Sequence, residues 1–197
     1  IMMHTMERYF VLEDTMEITD KIAQDVMKNV MKYAKILKKD PENYEARAEI
    51  MWCGSLSHNG LTGCGTCGGD WATHLIEHEL GGMFDVAHGA GLAAVWGSWA
   101  RYVMDEKPER FAQFAVDVMG VEESDDVKST ALKGIEAVEE FYRMIEMPTN
   151  MKELGINPTD EQIKDMAMKA TNHDTQQLGA FKKLSAKDLV EIYKTAK

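Results

Sequence analysis

The segment most informative about the architecture is GDWATHLIEHELGGMFDVAHGAGL, residues 69–92. Asp70 is a good N-cap for a short helix that continues through Leu80, because its side-chain oxygens can accept hydrogen bonds from the first free amides. The pair Gly81-Gly82 is expected to end this helix, and a second helix is expected to begin just after His88. Apolar residues recur at helical spacing in both segments, so the stretch predicts two consecutive helices.

Helical signals continue along the rest of the chain, and no segment shows the sustained alternation of a β-strand. One helix is expected to be capped by Thr19 or Asp20, and the next is expected to begin at Asp40-Pro41, where an N-cap precedes a proline. Capping signals at Thr159 and Ser185 begin the last two helices. In the second half of the chain, helices are predicted at 108–119, 124–146, 159–171 and 185–196. The fold class is therefore all-α, a multi-helix domain over residues 1–197.

The composition excludes several classes of protein. The 197 residues include 22 Lys plus Arg and 33 Asp plus Glu, a formal net charge of -11, so the chain lacks the basic surface that binds nucleic acid. No stretch of about 20 apolar residues predicts a transmembrane helix, and no signal peptide is recognisable. Three cysteines are too few for a disulfide scaffold, so a reducing cytoplasm is the expected compartment.

Three of the six histidines fall in the stretch quoted above. His74 and His78 are four residues apart and share one face of the first helix, whereas His88 opens the second. Two adjacent helix ends can therefore bring their imidazoles to one cation. Imidazole ligands suit iron, zinc, copper and nickel alike, so the spacing by itself identifies no particular metal.

Residues 69–80 together with residues 85–93 resemble the iron-containing alcohol dehydrogenase family, in particular its butanol-dehydrogenase-like branch. Residues 1–10, IMMHTMERYF, resemble the family's Asp-x-x-x-His helix with its aspartate removed. The resemblance covers essentially the whole chain, as the family's all-helical C-terminal domain. It implies that the chain is cut from something longer and that the family's N-terminal dinucleotide-binding domain is absent from it.

Carried over residue by residue, the resemblance implies a metal held by an aspartate and three histidines. The histidines correspond to His4, His74 and His88, and the aspartate falls one position before Ile1, so this chain is expected to lack it. His78 corresponds to a histidine that lies near the nicotinamide without binding the metal, which makes it the candidate catalytic and cofactor-binding residue. Fe²⁺ is the expected metal, and Zn²⁺ fits the same imidazoles.

The implied activity is the interconversion of small primary alcohols and aldehydes by hydride transfer, with NADH or NADPH as cofactor. A divalent metal lowers the pKa of a bound alcohol, and a nicotinamide held mainly by the absent domain takes the hydride. Glu77 or Asp85 is expected to hydrogen-bond a metal-binding histidine, and the sequence leaves open which. By itself the chain is expected to be inactive. The resemblance further implies a homodimer.

Two other functions remain open from the residues alone. Residues 74–78, HLIEH, also match H-x-x-E-H, the pattern of inverted zincin peptidases, in which two histidines bind zinc and the glutamate activates water. His88 separates the alternatives, because the dehydrogenase requires it and a peptidase leaves it unexplained. The second alternative is a helical domain that serves only for association.

The remaining candidates have ordinary structural interpretations. Cys64 and Cys67 form a C-x-x-C in a glycine-rich loop, and no strand or second cysteine pair accompanies them, so they are expected to be incidental thiols. His58, just before that loop, and His173, after a predicted helix, are expected to be caps or surface residues. None of these residues enters the predicted metal site.

Overall fold

The computed structural model describes residues 1–13 and 16–197 of the chain. Over these residues it contains α-helices, two 3₁₀ turns and no β-strand, and Leu178 and Leu184 form an isolated bridge. None of the described helices is both long and apolar enough to cross a lipid bilayer. The predicted all-α class is confirmed. The helices are α1 Met2–Tyr9, α2 Glu17–Lys39, α3 Tyr44–His58, α4 Ala72–Phe84, α5 His88–Val103, α6 Pro108–Asp117, α7 Val127–Met144, α8 Asp160–Ala170 and α9 Ala186–Ala196.

The two capping signals in the last part of the chain are confirmed. The Thr159 hydroxyl accepts a hydrogen bond from the Gln162 amide, and the Gln162 side chain accepts one from the Thr159 amide. Ser185 and Asp188 form the same reciprocal pair at the start of α9. Each pair satisfies amides that no helical carbonyl reaches, so local sequence alone fixes these two helix starts.

The predicted start of α2 is wrong. The helix begins at Glu17, so Thr19 and Asp20 lie in its first turn and do not cap it. The Asp20 carboxylate accepts two hydrogen bonds, of 2.6 and 2.7 Å, from the buried Arg110 guanidinium. The same guanidinium donates to the Tyr9 carbonyl at the end of α1. The pair of Asp20 and Arg110 therefore joins α1, α2 and α6, which a local capping rule does not foresee.

Two further helix ends differ from the prediction. Helix α3 is capped by Asn43, whose side chain accepts a hydrogen bond from the Ala46 amide, while Asp40-Pro41 precedes that cap. Helix α4 continues through Gly81-Gly82 and ends at Phe84, and its C-cap Asp85 adopts a left-handed φ of 52°. The last turn of α4 packs against the core, and this contact offsets the low helical propensity of the two glycines.

Helix α5 lies among α1, α4, α7 and α9 and forms the centre of the core. Trp96 and Trp99 of α5 are each 1% exposed, and both contact Phe10 at the end of α1. Phe111 of α6 stacks on Phe10 from the other side. Each fully buried aromatic ring of this kind contributes roughly 1.5–3 kcal/mol, so this cluster holds α1 firmly against α5. The packing brings the first turn of α1 close to α4 and to the start of α5.

Candidate metal centre

The candidate site lies where α4 and the start of α5 meet α1. The ring centroids of His74 and His78 on α4 are 6.4 Å apart, and the His88 ring lies 5.4 Å from His74 and 5.7 Å from His78. His74 is buried, whereas His78 and His88 are exposed. The structure thus brings together the three imidazoles of the quoted stretch.

Helix α1 adds His4 to this group. His4 Nδ1 lies 3.3 Å from His74 Nε2, and the two rings meet edge to face with centroids 4.5 Å apart. Two ring nitrogens at this distance either share a proton or face a common cation. Burial lowers the pKa of His4 to about 3 and the pKa of His74 to about 4. Both imidazoles are therefore neutral at pH 7, which is the form that binds metals.

Glu7 is the carboxylate partner of His74. Its buried side chain accepts hydrogen bonds from the His74 ring Nδ1 at 3.0 Å and from the His74 amide at 3.1 Å. A carboxylate accepts, so Nδ1 carries the proton and Nε2 keeps a lone pair. Burial raises the pKa of Glu7 to about 7, and a cation beside His74 would favour the ionised form. Glu7 is not among the site residues predicted from the sequence. Its position three residues after His4, on the same face of α1, is the feature that could have indicated it.

Glu77 is the carboxylate partner of His88. Its Oε2 accepts a hydrogen bond from His88 Nδ1, while its Oε1 is buried without a hydrogen-bond partner among the described residues. A Cβ at Gly91 would lie 2.5 Å from Oε1, so the glycine leaves room for the carboxylate. Of the two acidic residues that the sequence left open, Glu77 makes the pair, whereas Asp85 is exposed at the end of α4.

These side chains suit a divalent transition metal. His74 and His88 each hydrogen-bond a carboxylate through Nδ1, which leaves the lone pair of Nε2 free to bind a metal. His4 offers Nδ1 as its metal-binding atom. Carboxylates commonly orient metal-binding histidines in this way. Glu77, His78 and His88 form a second grouping, whose donor atoms all lie within 4.8 Å of one another. The two groupings share His88 and differ in whether α1 contributes a ligand.

An open cavity of about 630 Å³ lies beside the histidines. The polar side chains that line it include His4, His58, His88 and Lys38. Its remaining walls are mostly apolar and include Val30, Leu37, Ile50, Leu92, Phe141 and Met147. A few polar groups in an apolar cleft are typical of sites for small molecules.

The other candidate residues lie in different surroundings. His58 is exposed at the end of α3, as the sequence predicts, and its ring also stacks on the His4 ring. His173 lies in the turn after α8 and does not line the cavity. Cys64 and Cys67 are exposed free thiols, in keeping with their interpretation as incidental.

An all-helical domain that presents oriented, neutral imidazoles beside an apolar cleft has the features of a metal-dependent enzyme domain. The family model described as "Fe-containing alcohol dehydrogenase family, C-terminal" matches residues 1–197, and the chain belongs to this family. The chain is 32% identical over 195 residues to NADH-dependent butanol dehydrogenase A of Clostridium acetobutylicum, covering 98% of this chain and 49% of that protein. It is 30% identical over 195 residues to the NADPH-dependent aldehyde reductase YqhD of Escherichia coli, with 98% and 49% covered.

A solved structure shows the same fold. The crystal structure of NADH-dependent butanol dehydrogenase A from Thermotoga maritima matches with a TM-score of 0.90 and 34% sequence identity. The match covers 99% of this chain and 50% of the other. The chain therefore spans about half the length of the relatives it matches.

Proposed function

We propose that this chain is the metal- and substrate-binding domain of an NAD(P)H-dependent alcohol dehydrogenase that interconverts small primary alcohols and aldehydes. One observation carries the proposal: His4 Nδ1 and His74 Nε2 face each other at 3.3 Å, close to His88, and both His4 and His88 line a mostly apolar cavity. The relatives support it, since their names give butanol with NADH and an aldehyde with NADPH.

In this proposal His4, His74 and His88 hold the metal. Fe²⁺ is the metal of the family's description, and Zn²⁺ suits the same imidazoles. When bound, the ion would supply Lewis acidity that lowers the pKa of a substrate hydroxyl or polarises an aldehyde carbonyl. Glu7 and Glu77 hold the proton of their histidine partners on Nδ1, so that Nε2 stays free and the rings stay oriented.

We propose that His78 carries a proton or contacts the nicotinamide cofactor, and that it does not bind the metal. It lies one helical turn after His74 on α4, is exposed, and has its ring 5.7 Å from that of His88. An exposed imidazole beside the site can carry a proton between solvent and the substrate oxygen, or can orient a nicotinamide ring. His78 is therefore the catalytic and cofactor-binding residue of the proposal.

The nucleotide belongs, in this proposal, to a dinucleotide-binding domain in the half of the relatives' length that this chain does not span. The glycine-rich loop between α3 and α4 follows a helix, unlike the phosphate-binding turn of dinucleotide folds, which follows a strand. The chain alone would then bind metal and substrate without transferring hydride. A homodimer and a cytoplasmic location complete the proposal.

The peptidase alternative has less support than the dehydrogenase. It requires the carboxylate of Glu77 to activate a water molecule, but Glu77 is 1% exposed and one of its oxygens is bound to His88. A catalytic base must reach the water from which it takes a proton. The geometry favours Glu77 as the group that orients His88.

The test is the substitution His88→Ala, with His173→Ala as a control because that imidazole does not line the cavity. Fe²⁺ affinity is measured by competition with a chelator. We expect His88→Ala to weaken binding at least about 100-fold, since even the loss of an outer partner of a ligand costs 10–100-fold. In a protein that includes the proposed nucleotide domain, NADH-dependent reduction of butanal should be lost as well.

Two results would contradict this proposal. Unchanged Fe²⁺ affinity in His88→Ala would show that His88 is not a metal ligand. Cleavage of an unstructured protein substrate by the zinc-loaded chain, abolished by Glu77→Gln, would favour the peptidase.

A further inference from the structure

His58 contacts the metal site, although none of the roles considered above includes it. It is the last residue of α3 and lines the same cavity as His4 and His88. Its ring lies parallel to the His4 ring, with centroids 3.9 Å apart and an interplanar angle of 27°. His58 therefore covers one face of a proposed metal ligand.

The His58 ring is itself held in place by α3. Its Nδ1 lies 2.9 Å from the Gly54 carbonyl oxygen and 2.7 Å from Ser57 Oγ, while the Ser57 hydroxyl donates to the same carbonyl at 2.9 Å. A carbonyl oxygen only accepts, so Nδ1 carries the proton and donates to both oxygens. Ser57 is fully buried, which fixes this network. The stacked ring is thus a rigid surface rather than a mobile side chain.

His4 depends on such a surface, because α1 is a short helix and His4 lies in its first turn. The edges of the His4 ring meet Trp71 at 5.5 Å and His74 at 4.5 Å, both nearly perpendicular. The stack with His58 covers one face of the ring. Together these contacts select the orientation in which His4 Nδ1 points to His74.

We propose that His58 is a positioning residue, which holds the His4 imidazole in its metal-binding orientation by stacking on it. The inference rests on the proposed function, in which His4 is a ligand. A ligand that is ordered before binding loses less conformational entropy, so the affinity for the metal rises.

The experiment uses Co²⁺ as a spectroscopic probe and compares four forms of the chain: unchanged, His58→Ala, His58→Phe and Ser55→Ala. Phenylalanine keeps the stacking face without ring nitrogens, and Ser55 is an exposed residue of the same helix. We expect His58→Ala to weaken Co²⁺ binding about fivefold, as an aromatic contact of ordinary strength predicts. His58→Phe should bind within about twofold of the unchanged chain, and Ser55→Ala should match it.

Two outcomes would overturn the inference. Unchanged affinity in His58→Ala would show that the stack does not matter to the metal. Equal weakening in His58→Ala and His58→Phe, with the stack on His4 kept in His58→Phe, would show that a ring nitrogen acts instead. Circular dichroism checks that the variants fold, and the ring-current shift of the His4 resonance in the metal-free chain, lost in His58→Ala and kept in His58→Phe, reports the stack directly.

A His74→Ala variant in the same series separates this inference from the proposed function. If His74→Ala loses Co²⁺ binding while His58→Ala binds normally, only the role of His58 is wrong. If the unchanged chain does not bind Co²⁺, the metal assignment fails, and the role of His58 fails with it.

Discussion

The two walls of the candidate site are encoded in different ways. The α4–α5 wall comes from one continuous stretch and consists of His74, Glu77, His78 and His88. The α1–α3 wall comes from two distant segments and consists of His4, Glu7 and His58. Helical spacing and one loop assemble the first wall, whereas the second exists only once α3 has packed against α1 and α1 lies beside α4. A local motif can therefore indicate a metal site, while the residues that orient its ligands come from elsewhere in the chain.

The largest effect is expected at Gly69, in the loop before α4, which passes close to the backbone of α1. Its φ is +118°, and a Cβ there would lie 2.8 Å from the Glu7 carbonyl oxygen. That oxygen also accepts a 2.8 Å hydrogen bond from the Asp70 amide. Gly69→Ala combines left-handed strain with a backbone clash, so we expect it to lower the free energy of unfolding by about 3 kcal/mol or more. Urea unfolding measures the loss.

Gly68→Ala is the matched control for that substitution. Gly68 also has a positive φ, of +94°, but a Cβ there would meet nothing within 4 Å. Strain alone should cost about 1–2 kcal/mol. Equal losses at the two glycines would mean that the close approach of Gly69 to α1 adds nothing to stability, and that the two walls are joined less tightly than the structure indicates.

The second largest effect is expected at Asp70, whose side chain holds the start of α4 in place. Its Oδ2 accepts a hydrogen bond from the Ala72 amide at 3.0 Å, and its Oδ1 accepts from the amides of Ala180 and Phe181 at 2.7 and 2.6 Å. Burial raises the pKa of Asp70 from 3.8 to about 6. The folded chain therefore binds more protons than the unfolded chain between about pH 4 and pH 6, and the stability due to this group falls as the pH rises through that range.

The substitution Asp70→Asn tests this pH dependence. Asparagine does not titrate, and its altered contact with Ala72 contributes an offset that does not depend on pH. From pH 4 to pH 7, the stability of the unchanged chain relative to the variant should fall by on the order of 2–3 kcal/mol, measured by urea unfolding at each pH. A constant difference would show that the three amide hydrogen bonds keep the carboxylate ionised in spite of its burial.

The smallest of these effects is expected at Gly91, within the α4–α5 wall. An alanine Cβ would lie 2.5 Å from Glu77 Oε1 and would displace the carboxylate from His88. We expect Gly91→Ala to weaken Fe²⁺ binding about tenfold, the low end for loss of a group that orients a ligand. Gly89→Ala, whose Cβ would meet nothing within 4 Å, is the control. If the two variants bind equally well, Glu77 does not orient His88.

The sequence predicts the fold class and the α4–α5 wall because both depend on local rules. The reciprocal caps at Thr159 and Ser185 form within one turn, and His74 and His78 share a helix face by spacing alone. His88 follows after the short loop between α4 and α5. The sequence spacing also predicts that Glu77 lies about one helical turn after His74. Only the structure shows that Glu77 pairs with His88.

The sequence does not predict the features that arise from tertiary packing. Glu7 pairs with His74, which lies in another helix, and His58 contacts His4 only because α3 ends beside α1. His4 itself was indicated by family resemblance and not by local spacing. Asp20 looked like a helix cap because its partner Arg110 lies far along the chain. In each case the deciding partner is remote in sequence, where periodicity and capping rules carry no information.

We propose that one metal ion is held across both walls, with His4 of the α1–α3 wall as a ligand. The most direct test compares the Fe²⁺ affinity of His4→Ala with that of His78→Ala, by competition with a chelator. We predict at least about a 100-fold loss for His4→Ala and less than about a threefold change for His78→Ala. The opposite pattern, with His78 essential and His4 dispensable, would place the ion among Glu77, His78 and His88 and contradict the claim.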